Sequence, residues 1–227
     1  MKTSLKTEIA KLKEMTFKEK RWYIWEYYKL WFFFIAFFGY IFISLLNIWV
    51  INPSREEYLY LAWTGRSIPI YYLQELSDSL EVIVENPARQ VVAVHSYAAG
   101  ATQQENMAVQ TRFVGMMMLN SIHAFLTPYE MIVGFAEEGY LRSVMGVLTY
   151  VAEQDAELYA YLRTRLIQLT YNVHGTGRYQ TDTLAISLAG SPLLARLEID
   201  SENLYLTVIR GAERNYQIAK ALGVFFE

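Results

Sequence analysis

The chain carries three histidines, His95, His123 and His174, and no cysteine. Zinc sites need ligands at short repeated spacings, and each histidine stands alone in its own segment. All three therefore read as structural or surface residues, and no metal site is expected. His95 and Ser96 are adjacent on a strand-like segment, where neighbours point to opposite faces, so they do not make a base and a nucleophile. The Gly-x-Ser-x-Gly elbow of hydrolases is missing, and Glu137-Glu138 reads as a solvated helix end. Gly175-Thr176-Gly177-Arg178 looks superficially like a phosphate loop. It lacks the remaining glycine and the lysine of such loops, and it reads as a turn after a helix. Met116-Met117-Met118 reads as core packing. Neither an enzyme nor a cofactor is expected from these residues.

What remains is chemistry by position. In open parallel sheets, ligands bind beyond the carboxyl ends of the strands. Here those ends are Thr64-Gly65-Arg66, His95-Ser96-Tyr97 and Thr127-Pro128-Tyr129. They offer a guanidinium, hydroxyls, phenols and the amides of a capped helix start. Thr64, Arg66, Ser96, Tyr97, Thr127 and Tyr129 are thus the expected ligand-binding residues, suited to an anion or a small peptide.

Strands and helices must alternate to bring those ends together. Tyr58–Thr64 (YLYLAWT), Val91–Tyr97 (VVAVHSY), Ile122–Leu126, Leu184–Leu188 and Leu204–Ile209 read as strands, rich in β-branched and aromatic residues. Ile70–Leu80 reads as a helix. Asn106–Ser121 does too, with Met107, Thr111, Val114 and Met118 along one face. Thr127-Pro128-Tyr129-Glu130 has the form of a helix start, an N-cap Thr followed by proline, and that helix stops at Gly139. A long helix is expected over Ala152–Tyr171, burying Leu158, Leu162, Leu166 and Leu169. Ser191-Pro192 starts another helix, and Glu213–Phe226 closes the chain. The expected class is α/β, a largely parallel or mixed sheet with helices on both faces.

Ahead of this domain lies a different kind of segment. From Leu30 to Ile51 no residue is charged. As a helix those residues span roughly 33 Å, enough for a hydrocarbon core about 30 Å thick. A cleaved signal has a shorter apolar run and a small-x-small site, so this stretch reads as an uncleaved signal anchor. Trp22, Tyr23, Trp25, Tyr27, Tyr28 and Trp31 are expected at the membrane interface, where a ring with a polar edge is best placed. Leu5, Ile9, Leu12 and Met15 recur at helical spacing among lysines, which suggests an amphipathic helix on the inner leaflet. Thr16-Phe17-Lys18-Glu19 then has the capping-box form.

Residues 1–29 hold eight Lys/Arg and four Glu, whereas the rest of the chain holds twelve Lys/Arg and nineteen Asp/Glu. A basic flank stays cytoplasmic, so the expected topology is single-pass in the cell membrane, N-terminus inside and C-terminal domain outside. The expected organisation is a leader (1–29), a span (30–51), a linker (52–57) and an outer domain (58–227). The acidic balance of that domain excludes nucleic acid as a partner. A domain of that size without cysteine suits a bacterial envelope.

Two resemblances follow from specific segments. MTFKEKRWYIWEYYKLWFFFIAFF (Met15–Phe38) resembles the start of a group of uncharacterised single-span membrane proteins of Gram-positive bacteria. SIHAFLTPYEMIVGFAEEGYLRSV (Ser121–Val144), LAISLAGSPLLARLEI (Leu184–Ile199) and NLYLTVIRGAERNYQIAKALGVFF (Asn203–Phe226) are similar to extracytoplasmic solute-binding proteins of ABC transporters, of the type II periplasmic-binding-protein fold. The outer domain has room for about one lobe of that two-lobed fold, and a transmembrane helix stands where those proteins carry a lipidated cysteine. The resemblance implies a tethered binding or accessory subunit serving an integral membrane partner. The alternative expectation is a self-assembling homo-oligomeric surface protein that binds no ligand.

Overall fold

A computed structural model describes residues 15–51, 55–98, 103–211 and 213–227, divided between two units, 1–54 and 55–227. Most of the expected amphipathic leader, including Leu5, Ile9 and Leu12, lies outside the described residues.

The described part of the first unit is a helix, α1 (Phe17–Leu46), which runs into a π-helical turn at Asn47–Ile51. Its start follows the capping-box pattern. The Glu19 carboxylate reaches back to accept from the Thr16 amide at 2.9 Å and the Thr16 hydroxyl at 2.8 Å. Phe33 stacks on Phe37 and Phe34 on Phe38, one turn apart. Lys29–Trp49 is long and apolar enough to cross a membrane, and none of its most apolar window is buried by protein. Leaving side chains such as Phe33, Ile35, Phe38 and Ile43 in water would cost about 1.5–3 kcal/mol each, so this helix requires an apolar cover.

The second unit is built on a mixed seven-stranded sheet. Its strands are β1 (Glu56–Trp63), β2 (Gln90–Ser96), β3 (Ala124–Thr127), β4 (Leu141–Arg142), β5 (Leu166–Asn172), β6 (Tyr179–Ser187) and β7 (Tyr205–Ile209). The order is β2-β1-β3-β7-β6-β5, with the short β4 also on β7. β1 pairs in parallel with β2 and β3, and the pairings from β3 onward are antiparallel. The sheet is therefore parallel only in its first three strands. Strand β1 already begins at Glu56, so the expected linker is shorter than residues 52–57.

Helices cover both faces because the central strands are apolar on both. From Tyr58 to Trp63 every residue of β1 is buried. Leu59, Leu61 and Trp63 point one way and Tyr60 and Ala62 the other, the two-residue period of a pleat. On the first face lie α2 (Ile70–Leu80), α5 (Met145–Gln154), α6 (Ala156–Arg163), α7 (Pro192–Arg196) and α8 (Asn215–Phe226). They bury Leu76, Leu80, Leu148, Leu194, Leu222 and Phe225 against it. On the second face lie α3 (Gln103–Met118) and α4 (Tyr129–Glu137), with Phe113, Ile132 and Ala136 over Tyr60 and Phe125.

Four sequence expectations are corrected. The long helix over Ala152–Tyr171 does not exist. Asp155 is extended (φ −147°, ψ 103°) and its carboxylate accepts from the amides of Glu157 and Leu158, which ends α5 and starts α6. Beyond it, Leu166–Asn172 is strand β5, with Leu169 and Tyr171 inward and Gln168 and Thr170 outward. The leucine spacing was compatible with a helix, but alternation with Ile167, Thr170 and Tyr171 favours the pleat. Second, Gly175–Arg178 follows strand β5 through a single 3-10 turn (Val173–Gly175), with no α-helix before it, and belongs to the connection from β5 to β6.

Third, the face of α3 bearing Met107, Val114 and Met118 is exposed, and Val109, Phe113, Met116 and Met117 pack inward. Of the methionine run, only the first two residues serve the core. Fourth, Pro128, not Thr127, occupies the N-cap of α4, and no side chain of its own caps that end. The Tyr129 amide donates instead to Asn203 Oδ1 (3.2 Å), whose amide nitrogen donates to the Glu130 carboxylate.

Helix α4 ends as expected at Gly139, which has φ +75°. The Gly139 amide donates to Ala136 and the Tyr140 amide to Phe135. A Cβ at Gly139 would come within 2.6 Å of His174 Cε1, so the turn between β5 and β6 rests on this glycine. Gly139→Ala is expected to lower stability by about 1–3 kcal/mol. Gly134→Ala, mid-helix with open space around it, should be neutral or stabilising by up to about 1 kcal/mol. Thermal unfolding of the detergent-solubilised chain distinguishes the two.

Candidate functional site

The carboxyl ends of β1 and β2 meet in register. The Tyr97 amide donates to Trp63 O at 2.7 Å, and the Thr64 amide to Leu126 O at 2.9 Å. At Gly65 the chain turns with φ +88°, and a Cβ there would lie 2.6 Å from Pro128 Cγ. Only glycine lets the end of β1 pass so close to the start of α4.

Beyond these ends lies an open cavity of about 300 Å³ lined by Thr64, Gly65, Tyr97, Val109, Gln110, Phe113, Met131 and Phe135. Helices α3 and α4 contribute one pair each at a spacing of four, Val109 with Phe113 and Met131 with Phe135, so each helix presents one turn of side chains. Phe113 meets Tyr97 edge-on at 5.2 Å and lies 5.6 Å from Phe125, which in turn stands 4.7 Å from Phe135. These rings wall the cavity on a rigid aromatic cluster.

Among the described lining residues the polar groups are few and none is charged. Tyr97 shares a 2.7 Å hydrogen bond with the hydroxyl of Tyr60. Burial, then the Tyr97 hydroxyl, pushes the Tyr60 phenol well above the ordinary tyrosine range, so Tyr60 stays neutral. The Arg112 guanidinium lies 5.7 Å from the Tyr97 ring centroid. Thr64 is buried, and its hydroxyl has no hydrogen-bond partner among the described residues. A buried hydroxyl without a partner carries a desolvation cost of about 1–3 kcal/mol.

Of the residues expected from the sequence, the structure brings Thr64 and Tyr97 to this cavity and places the other four elsewhere. Arg66 is exposed and pairs with Asp200 at 3.2 Å, while its carbonyl accepts from the Trp63 indole. Ser96 accepts from the Ala98 amide within its own turn. Thr127 is buried under Pro128. Tyr129 lies 5.9 Å from Tyr205, and its amide is taken by Asn203. The lining residues that sequence reading did not place are Gly65, Val109, Gln110, Phe113, Met131 and Phe135. The spacing of four within each helix was the available signal.

The residues expected at the membrane interface lie on α1. Trp22, Trp25 and Trp31 are exposed and Tyr23 half-exposed, while the side chains of Tyr27 and Tyr28 lie outside the described residues.

His95 and His123 converge on Tyr60 without facing the cavity. The His95 ring stacks on that of Tyr60 at 5.2 Å, and burial, then Arg112, lowers its pKa. His123 Nδ1 accepts from the Tyr60 amide at 2.8 Å. Burial, then Arg214, brings the His123 pKa down to about 4. No cluster of metal-ligating side chains occurs among the described residues. Comparison with known protein families, curated proteins and solved structures finds no match for the chain.

The His123 contact makes stability depend on pH. The folded pKa is depressed, so the stabilisation is fully present above the ordinary value of 6.5 and is lost as pH falls towards about 4. The loss amounts to at most about 3 kcal/mol. The expected result is a melting temperature that drops over that window, and His123→Asn, whose carbonyl can still accept from Tyr60, should flatten the drop.

Proposed function

We propose that this chain is a membrane-anchored binding subunit whose outer α/β domain holds a small uncharged ligand, or an apolar side chain of a peptide, at the carboxyl ends of β1 and β2. The observation that carries this reading is the 300 Å³ cavity, apolar and aromatic, with one unpartnered buried hydroxyl among its lining residues. Ligand sites share that composition, mostly apolar with a few polar groups to fix orientation. Arg66 is paired to Asp200, Arg112 lies against the Tyr97 ring outside the lining, and the described lining residues include no cation, so a neutral ligand fits it better than an anion.

The anchor in this reading is the apolar stretch Leu30–Ile51, entered from a basic cytoplasmic flank. Four residues, 52–55, separate it from β1, which limits the tether to about 15 Å at full extension. A domain held so near a bilayer suits an accessory subunit working beside an integral membrane partner, such as an ABC transporter, and the resemblance to solute-binding proteins points the same way. The exposed Met107, Val114, Met118 and Leu119 on and after α3 favour a second reading, self-assembly of a structural surface protein.

Solution binding of N-acetyl-phenylalaninamide and N-acetyl-aspartamide to the detergent-solubilised chain tests the first reading. The aromatic probe should bind weakly and the anionic one not at all. Met131→Trp, which fills the cavity, should abolish binding, and Thr64→Val should weaken it severalfold. Failure of the aromatic probe to bind, in a protein that also purifies without a membrane partner, would overturn the proposal. A concentration-independent oligomer that binds neither probe would favour the second reading.

A further inference from the structure

Helix α1 carries a stripe whose chemistry changes in one direction. At 3.6 residues per turn, Lys18, Arg21, Trp22, Trp25, Lys29 and Phe32 fall within a sector about 100° wide. Lys18, Arg21, Trp22, Trp25 and Phe32 line a shallow recess of about 510 Å³. Reading from the helix start, the recess passes from two cations to two indoles and then to a phenyl ring. A phospholipid shows the same order along its length: phosphate, ester region, hydrocarbon.

Of the stripe's three cations only Lys29 is paired with a carboxylate among the described residues. Glu19 and Glu26 point roughly 90–110° from its centre. Glu19 is held by the Thr16 amide and hydroxyl, and Glu26 pairs with Lys29 at 3.4 Å. No ion pair of Lys18 or Arg21 occurs among the described residues. Both sit in the first turns of α1, where the helix dipole adds to the positive potential.

We propose that this face binds the headgroup of an anionic phospholipid, the phosphate between Lys18 and Arg21, the indoles of Trp22 and Trp25 at the ester level, and an acyl chain along Phe32. The inference rests on the membrane-anchored reading above and adds to it a preference for lipid charge on one face of the helix. Arginine supplies a planar fork for phosphate oxygens and lysine a point charge, so the pair recognises phosphate by geometry as well as by sign. The remaining cation, Lys20, lies on the opposite side of the helix, which provides an internal control.

The test reconstitutes the full chain in nanodiscs of pure phosphatidylcholine and in discs containing one third phosphatidylglycerol. Native mass spectrometry then counts the lipids that stay bound. The expected result is retention of phosphatidylglycerol in excess of its share, falling by about fivefold for each charge removed in Lys18→Gln and Arg21→Gln. Lys20→Gln should leave retention unchanged. An equal loss in Lys20→Gln would replace a site by a general charge effect and overturn the proposal. So would retention of the two lipids in proportion to their supply, or two chains in every disc with the stripe buried between them. A chain that does not enter either kind of disc overturns the anchored reading, and this proposal with it.

Discussion

The domain of residues 55–227 depends on burying strand β1 on both faces. Its residues from Tyr58 to Trp63 contribute to two hydrophobic clusters at once, and among the described strands no other is flanked on both sides by parallel neighbours. Tyr60 shows how much converges there. Its amide donates to His123, its hydroxyl meets Tyr97, and its ring lies against His95. The cavity inherits its position from this strand, because Thr64 and Gly65 are the next residues after it ends. Close packing on both sides leaves β1 little freedom to shift, which holds the cavity lining in place.

The helices divide the labour between the faces. α8, α5 and α2 close the larger cluster with aliphatic side chains and Phe225. α3 and α4 close the smaller one with an aromatic group that meets at an open edge, and the cavity remains there. Aromatic rings in offset contact fill space with few degrees of freedom, so a cleft walled by Phe113 and Phe135 and backed by the buried Phe125 keeps its shape.

Much of this was legible in the sequence, and the places where it was not have physical reasons. Runs such as YLYLAWT and VVAVHSY identify strands because helices disfavour so many β-branched and aromatic residues in succession. Gly139 and Ser191-Pro192 mark helix ends through backbone geometry that few other residues permit. The segment 152–171 misled because leucines at 158, 162, 166 and 169 satisfy a helical period, while the break at Asp155 depends on a local side-chain bond. Strand β5 gains its stability from pairing with β6, a partner that lies beyond its own window. For the cavity, Thr64 and Tyr97 were placed by the strand-end rule. The loss of Arg66 and Tyr129 from it depended on Asp200 and Asn203, residues far along the chain that no local pattern connects to them.

The attachment of α1 to the domain through β1, by way of a few residues, has a mechanical consequence. A pull on the chain ahead of Glu56 would draw that strand lengthwise against the rest of the domain. Hydrogen bonds to β2 and β3 flank it, and under such a load they are strained together in shear and cannot open one after another. Force entering the domain at its first residues would thus meet a strand held along both edges before it reached the turn at Gly65.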